Sequence, residues 1–184
     1  GQHLAQNGFA DFGGIDAGSD AITMHTAQTF RNWAYQLTRQ VTLEGRTVHS
    51  HTAITSSGEA ILPVRWFAHP FFPLTPDRVY CRFSMPVSMP ENEGYFIDKA
   101  GFICQKPAYD WPRGCYQALT YEKPAGGITI TQKHPTVGEV NTTTDFAPDF
   151  LPVWSNANTF SFEPYFDVKL KQGERAAWRI SYTF

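Results

Sequence analysis

Apolar and polar residues alternate along much of this chain, the pattern of strands that bury one face. Residues 176–184 run Ala-Ala-Trp-Arg-Ile-Ser-Tyr-Thr-Phe. A strand there places Trp178, Ile180, Tyr182 and Phe184 on one face and Arg179, Ser181 and Thr183 on the other. Residues 46–53 and 127–132 alternate in the same way and are rich in β-branched side chains, and 33–43 alternates through Tyr35, Leu37, Val41 and Leu43. The Thr-Ser-Ser-Gly-Glu run at 55–59 reads as a hairpin-type connection to a strand starting near Ala60, and the loop at 171–174 joins a strand at 159–163 to the last one. Helical periodicity is missing, because 13 Pro and 14 Gly are spread along the whole chain. The expectation is an all-β, antiparallel sandwich or barrel forming one domain over 1–184, with no internal repeat or linker. Residues 1–24 alternate little and are expected to be an irregular or edge segment.

Composition narrows the function classes. Aromatic residues make up 15% of the 184 positions and charged residues 17%, so there is ample material for a core and disorder is not expected. A net charge of −2 without long runs of one sign lacks the electrostatic footprint of a nucleic-acid binder. No apolar run approaches the roughly 18 residues of a membrane helix, and no basic stretch followed by an apolar core marks a signal peptide. Neither nucleic acid nor membrane is therefore an expected partner. The chain begins with Gly1 rather than Met, which reads as a tag remnant, a processed terminus or a fragment. Cys81, Cys104 and Cys115 form no CxxC pair, which disfavours a disulfide framework or a zinc site and makes a reducing, cytoplasmic setting the default.

Two residues stand out as candidate chemistry. His69 ends an apolar stretch and is followed by Pro70, Phe71 and Phe72, so an imidazole that titrates near neutrality sits beside rings able to wall a pocket. The alternative is a structural histidine in an aromatic core. Glu163 lies among Phe160, Phe162, Tyr165 and Phe166 and shares a face with Ser161. A desolvated carboxylate there has the raised pKa that a general base needs, unless it is paired with an arginine such as Arg65 or Arg179. His49 and His51 share a strand face at metal-ligand spacing without a third ligand nearby, His134 precedes Pro135 in a turn, and His3 lies in the uninformative terminal segment. Walker, dinucleotide, GxSxG and EF-hand motifs are all missing, so no metal or cofactor is expected. The aromatic excess suits a carbohydrate site, where apolar sugar faces stack on rings.

The order of three motifs carries a resemblance. Residues 60–72, with Leu62-Pro63 leading to His69-Pro70-Phe71-Phe72, resemble the strand of the aldose 1-epimerase, or galactose mutarotase-like, family that ends in His-Pro-aromatic-Phe. Residues 150–165, from Trp154-Ser155 to Glu163-Pro164-Tyr165, are similar to its late Trp-Ser and Glu-Pro segment, and Leu170, Gly173-Glu174, Trp178 and Tyr182 to its closing strand. The resemblance spans roughly residues 33–184 and implies a galactose mutarotase-like β-supersandwich, shortened at the N-terminus, with the sugar on a concave face. It implies interconversion of the α and β anomers of an aldose without a cofactor. Here His69 is the acid at the ring oxygen and Glu163 the base at the anomeric hydroxyl. The sugar-contacting arginine of the family has no identified counterpart. His25 and Asp110 are candidate sugar contacts, and Trp66, Phe72 and Trp154 are candidates for the rings lining the site. Whether the aldose is phosphorylated stays open. An exposed sheet edge would favour a homo-oligomer. The alternative function is a non-catalytic carbohydrate-binding or structural module of the same fold.

Overall fold

A computed structural model describes residues 12–184, so His3 lies outside the described residues. The described residues form sixteen strands: β1 (Phe12–Ala17), β2 (Ala21–Phe30), β3 (Trp33–Glu44), β4 (Thr47–Ser56), β5 (Leu62–Phe67), β6 (Phe72–Pro73), β7 (Cys81–Phe83), β8 (Tyr95–Ile97), β9 (Ile103–Gln105), β10 (Cys115–Ala118), β11 (Thr129–His134), β12 (Gly138–Thr144), β13 (Pro152–Ser155), β14 (Thr159–Phe162), β15 (Tyr165–Leu170) and β16 (Arg175–Thr183). One 3-10 turn, Trp111–Arg113, precedes β10. Among the described residues no helix is long and apolar enough to cross a membrane. The stretch with little alternation proves, from Phe12 on, to be the edge strand β1 followed by β2.

Eight strands form one antiparallel sheet in the order β1-β2-β3-β4-β16-β12-β11-β7. Opposite it lie the four-stranded sheet β10-β13-β14-β6 and the pair β15-β5, linked by a bridge between Phe150 and Tyr165. Period-two alternation decides what each strand buries. On β16, Trp178 and Ile180 are 1% and 2% exposed while Arg179 between them faces solvent. On the smaller sheet, Val153, Phe160 and Phe162 enter one core with Leu151, Ile130 and Val140. Leu62, Val64 and Trp66 of β5 and Phe166, Val168 and Leu170 of β15 enter a second core with Ile54, Phe146 and Trp178. The other parity of these same strands, which carries Trp154, Ser161, Tyr165 and Phe67, is turned away from the large sheet.

Some of this packing needs a missing side chain. At Gly127, where the chain enters β11, a Cβ would overlap the carbonyl of Thr144. Gly138 differs, being in open space at a φ of +81° that an L side chain adopts only with strain. Gly127→Ala is expected to lower unfolding stability by about 3 kcal/mol or more, through backbone displacement. Gly138→Ala is expected to cost about 1 kcal/mol. Urea denaturation of the two variants checks the order.

Candidate active site

Two short ladders that look separate share one register. In β5–β15, Phe67 stands opposite Tyr165; in β6–β14, Phe72 stands opposite Phe160. Running either ladder toward the other sets His69 opposite Glu163. Pro70 and Pro164, which have no N–H to donate, fall in this gap and interrupt the hydrogen bonding there. The side chains still meet as a cross-strand pair would: His69 Nε2 lies 3.3 Å from Glu163 Oε1. The backbone N–H of Glu163 donates to the Pro152 carbonyl at 3.0 Å, so the carboxylate is also tied to β13.

The surroundings set the chemistry of the pair. Glu163 is only 5% exposed, whereas a third of the His69 side chain reaches solvent. Burial pushes the Glu163 carboxyl above the usual glutamate range, and the neighbouring His69 charge only partly opposes this. Neither arginine considered from the sequence takes the carboxylate. Arg65 is held instead by Asp167, its Nε donating to both carboxylate oxygens at 3.0 and 3.2 Å and one terminal nitrogen donating at 2.6 Å. Arg179 faces solvent, its backbone N–H donating to Asp145 at 2.7 Å. An arginine partner would lower a carboxyl pKa by about 1–3 units, so the Arg65–Asp167 pairing leaves Glu163 a stronger base.

Aromatic rings surround the pair. The centroids of His69 and Phe71 are 4.4 Å apart, and Trp154 presents its edge to both rings at 6.2 Å. Phe67 stacks on Tyr165 at 4.4 Å, and Phe150 meets Tyr165 edge-on. Phe71 is 63% exposed and Tyr116, opposite Trp154 on β10, is 52% exposed. Burial raises the pKa values of the Tyr116 and Tyr165 hydroxyls; Glu163 adds to this at Tyr165, and Tyr165 followed by Glu163 adds to it at Tyr116.

Of the ring and polar contacts expected from the sequence, only Trp154 joins this cluster. Trp66 is on the inner face of β5, packed against Trp178 at 5.3 Å and Phe146 at 6.1 Å, and Phe67 takes the outward position. Phe72 is likewise buried against Phe162, and Phe71 takes the outer place. His25 is in the register row His25–Thr38–Ala53–Ala177, on the face of the eight-stranded sheet opposite to that of Trp178, with Nδ1 bonded to Thr38 Oγ1 at 3.1 Å. Asp110 heads the 3-10 turn with an exposed side chain and accepts there, through its backbone carbonyl, from the Arg113 N–H. Two other histidines have local partners: His49 bonds Ser181 at 2.8 Å, and His134 Nδ1 accepts from the backbone of Thr136 and Val137. The sequence pointed to Phe71 and Tyr165 only as aromatic neighbours of His69 and Glu163, and to Phe67 and Tyr116 not at all. Local alternation could have pointed to Phe67, whereas Tyr116 needs the β10–β13 pairing.

Comparison with solved structures decides the architecture. A galactose mutarotase related enzyme from Lactobacillus acidophilus superposes with a TM-score of 0.66 over 92% of this chain and 70% of its own, at 10% sequence identity. A galactose mutarotase-like protein from Lactobacillus casei gives 0.62 at 15% identity, over 92% and 72% of the two chains. An aldose epimerase homologue from C. elegans gives 0.59 at 10% identity, over 92% and 67%. The chain has the galactose mutarotase-like fold. No protein-family model and no curated protein matches the sequence. The mutarotase-like fold is thus carried here by a sequence far from those of the solved structures, and the site must be argued from its own geometry.

The raised Glu163 pKa has a stability consequence of fixed sign. A carboxyl whose folded pKa lies above its unfolded value binds more protons when folded, so its contribution is complete below the unfolded pKa and is lost as pH rises through the folded one. Wild-type stability should therefore fall relative to Glu163→Gln as pH rises from about 4 through the raised folded value. Thermal unfolding of both proteins across this range checks it, the variant being the more stable at neutral pH.

Proposed function

We propose that this protein is a mutarotase acting on an aldose, with Glu163 as general base and His69 as general acid. The supporting observation is the direct contact between a buried carboxylate and a partly exposed imidazole within a ring-lined site. Mutarotation needs an acid and a base that both reach one edge of the sugar, because the two reacting oxygens of a cyclic aldose, the ring oxygen and the anomeric hydroxyl, are bonded to one carbon. An acid and a base acting on them must be neighbours, and an aldose presenting that edge would bridge the pair.

The steps balance with these two side chains. Glu163 takes the proton of the anomeric hydroxyl as the C1=O bond forms and the bond from C1 to the ring oxygen breaks. Protonated His69 gives its proton to the departing ring oxygen. Rotation about C1–C2 exposes the other face of the aldehyde, and closure returns both protons to their original holders with the opposite configuration at C1. Burial assists by making Glu163 more basic, and the exposure of His69 lets it exchange protons with water. The fold supports the assignment, since the similar structures include an enzyme described as galactose mutarotase related.

Polarimetry on freshly dissolved α-glucose and α-galactose tests the proposal. The wild type should hasten the approach to equilibrium, and Glu163→Gln or His69→Asn should lower the rate by roughly 10²-fold or more. The wild-type rate should rise with pH through a pKa above the usual glutamate range, as Glu163 ionises. A binding module would leave the spontaneous rate unchanged. That result, or equal rates for wild type and variants, contradicts the proposal.

A further inference from the structure

The outer face of the smaller sheet continues beyond the acid–base pair. Register aligns Tyr116 with Trp154 and Trp154 with Ser161, and aligns Ala118 with Pro152, whose carbonyl accepts the Glu163 N–H. One row across the strands is therefore Ala118, Pro152, Glu163 and His69. Its first two members are small, while the neighbouring rows carry Tyr116 and Trp154 on one side and Phe150 and Tyr165 on the other. A row of small side chains between rows of rings reads as a shallow groove from His69 over Pro152, itself buried, to the half-buried Ala118. Two strand spacings separate Glu163 from Ala118, about 10 Å, room for one pyranose ring.

Tyr116 stands on the wall at the far end. It is 52% exposed, and its hydroxyl makes no hydrogen bond to the described residues and lies within electrostatic reach of Tyr165 and, less strongly, of Glu163. Resting on the mutarotase reading, we infer that a single-ring aldose lies along Ala118–Pro152–Glu163–His69 and that the Tyr116 hydroxyl donates a hydrogen bond to its C4 hydroxyl. With the anomeric carbon at His69 and Glu163, C4 is the ring carbon diametrically opposite and is the one carried toward Ala118. Tyr116 is then a specificity-determining residue, placed where glucose and galactose differ.

The test is a cycle of wild type and Tyr116→Phe on glucose and 4-deoxyglucose, read as kcat/KM for mutarotation and as binding followed by tryptophan fluorescence. The variant should lose roughly 5–10-fold on glucose and less than about twofold on 4-deoxyglucose, the partner of the deleted hydroxyl being already gone. Equal losses on both sugars mean a packing role and overturn the inference, as does no loss on either. Ala118→Leu, which fills the groove, should abolish binding of both sugars while leaving the melting temperature near wild type. Full binding by a folded Ala118→Leu also overturns it. A wild type that binds glucose with the expected Tyr116 dependence but does not hasten mutarotation refutes the catalytic reading and leaves this one standing.

Discussion

The site depends on one register held across a break. The β5–β15 and β6–β14 ladders run in phase, and between them Pro70 and Pro164 withdraw two backbone donors. A slip of one residue in either ladder would turn His69 or Glu163 to the opposite face, because side chains alternate with period two. Both faces of these strands are committed. Inward, Trp66 and Phe166 pack on Trp178, and Phe162 packs on Phe72; outward are Phe67, Tyr165, His69 and Glu163. The apolar cores therefore fix the register, and the register fixes the acid–base pair.

That pair carries an electrostatic cost, which its neighbours direct toward chemistry. A carboxylate that is 5% exposed is ordinarily paired with a cation and loses basicity. Here Arg65, on the same strand face, is engaged by Asp167, and Lys123 is engaged by Asp149. His69 remains for Glu163, and an imidazole can give up a proton to a substrate as an arginine cannot. The cost in stability accompanies a base of raised pKa beside a ring-lined, partly open site.

Much of this was legible in the sequence, and the limit is physical. Alternation located β3, β4, β11 and β16, and the order of the His-Pro and Glu-Pro motifs pointed to the fold that the solved structures bear out. His69 and Glu163 were singled out by their aromatic surroundings, and their contact follows from strands about a hundred residues apart, which no local pattern reveals. Which rings face the pair was hard to read for a related reason. Trp66 and Phe67, or Phe72 and Phe71, differ only in which face each occupies, and the tryptophan and the second phenylalanine are the ones the core takes. Tyr116 is harder still, since the four-residue strand β10 acquires its meaning only by lying beside Trp154.

The most direct measurement is a crystal structure of the protein soaked with glucose. The account predicts one pyranose along the row from His69 to Ala118, its ring oxygen within hydrogen-bond reach of His69 Nε2 and its anomeric oxygen within reach of the Glu163 carboxylate. A sugar bound elsewhere on the sheet, with His69 and Glu163 still in direct contact, would contradict it.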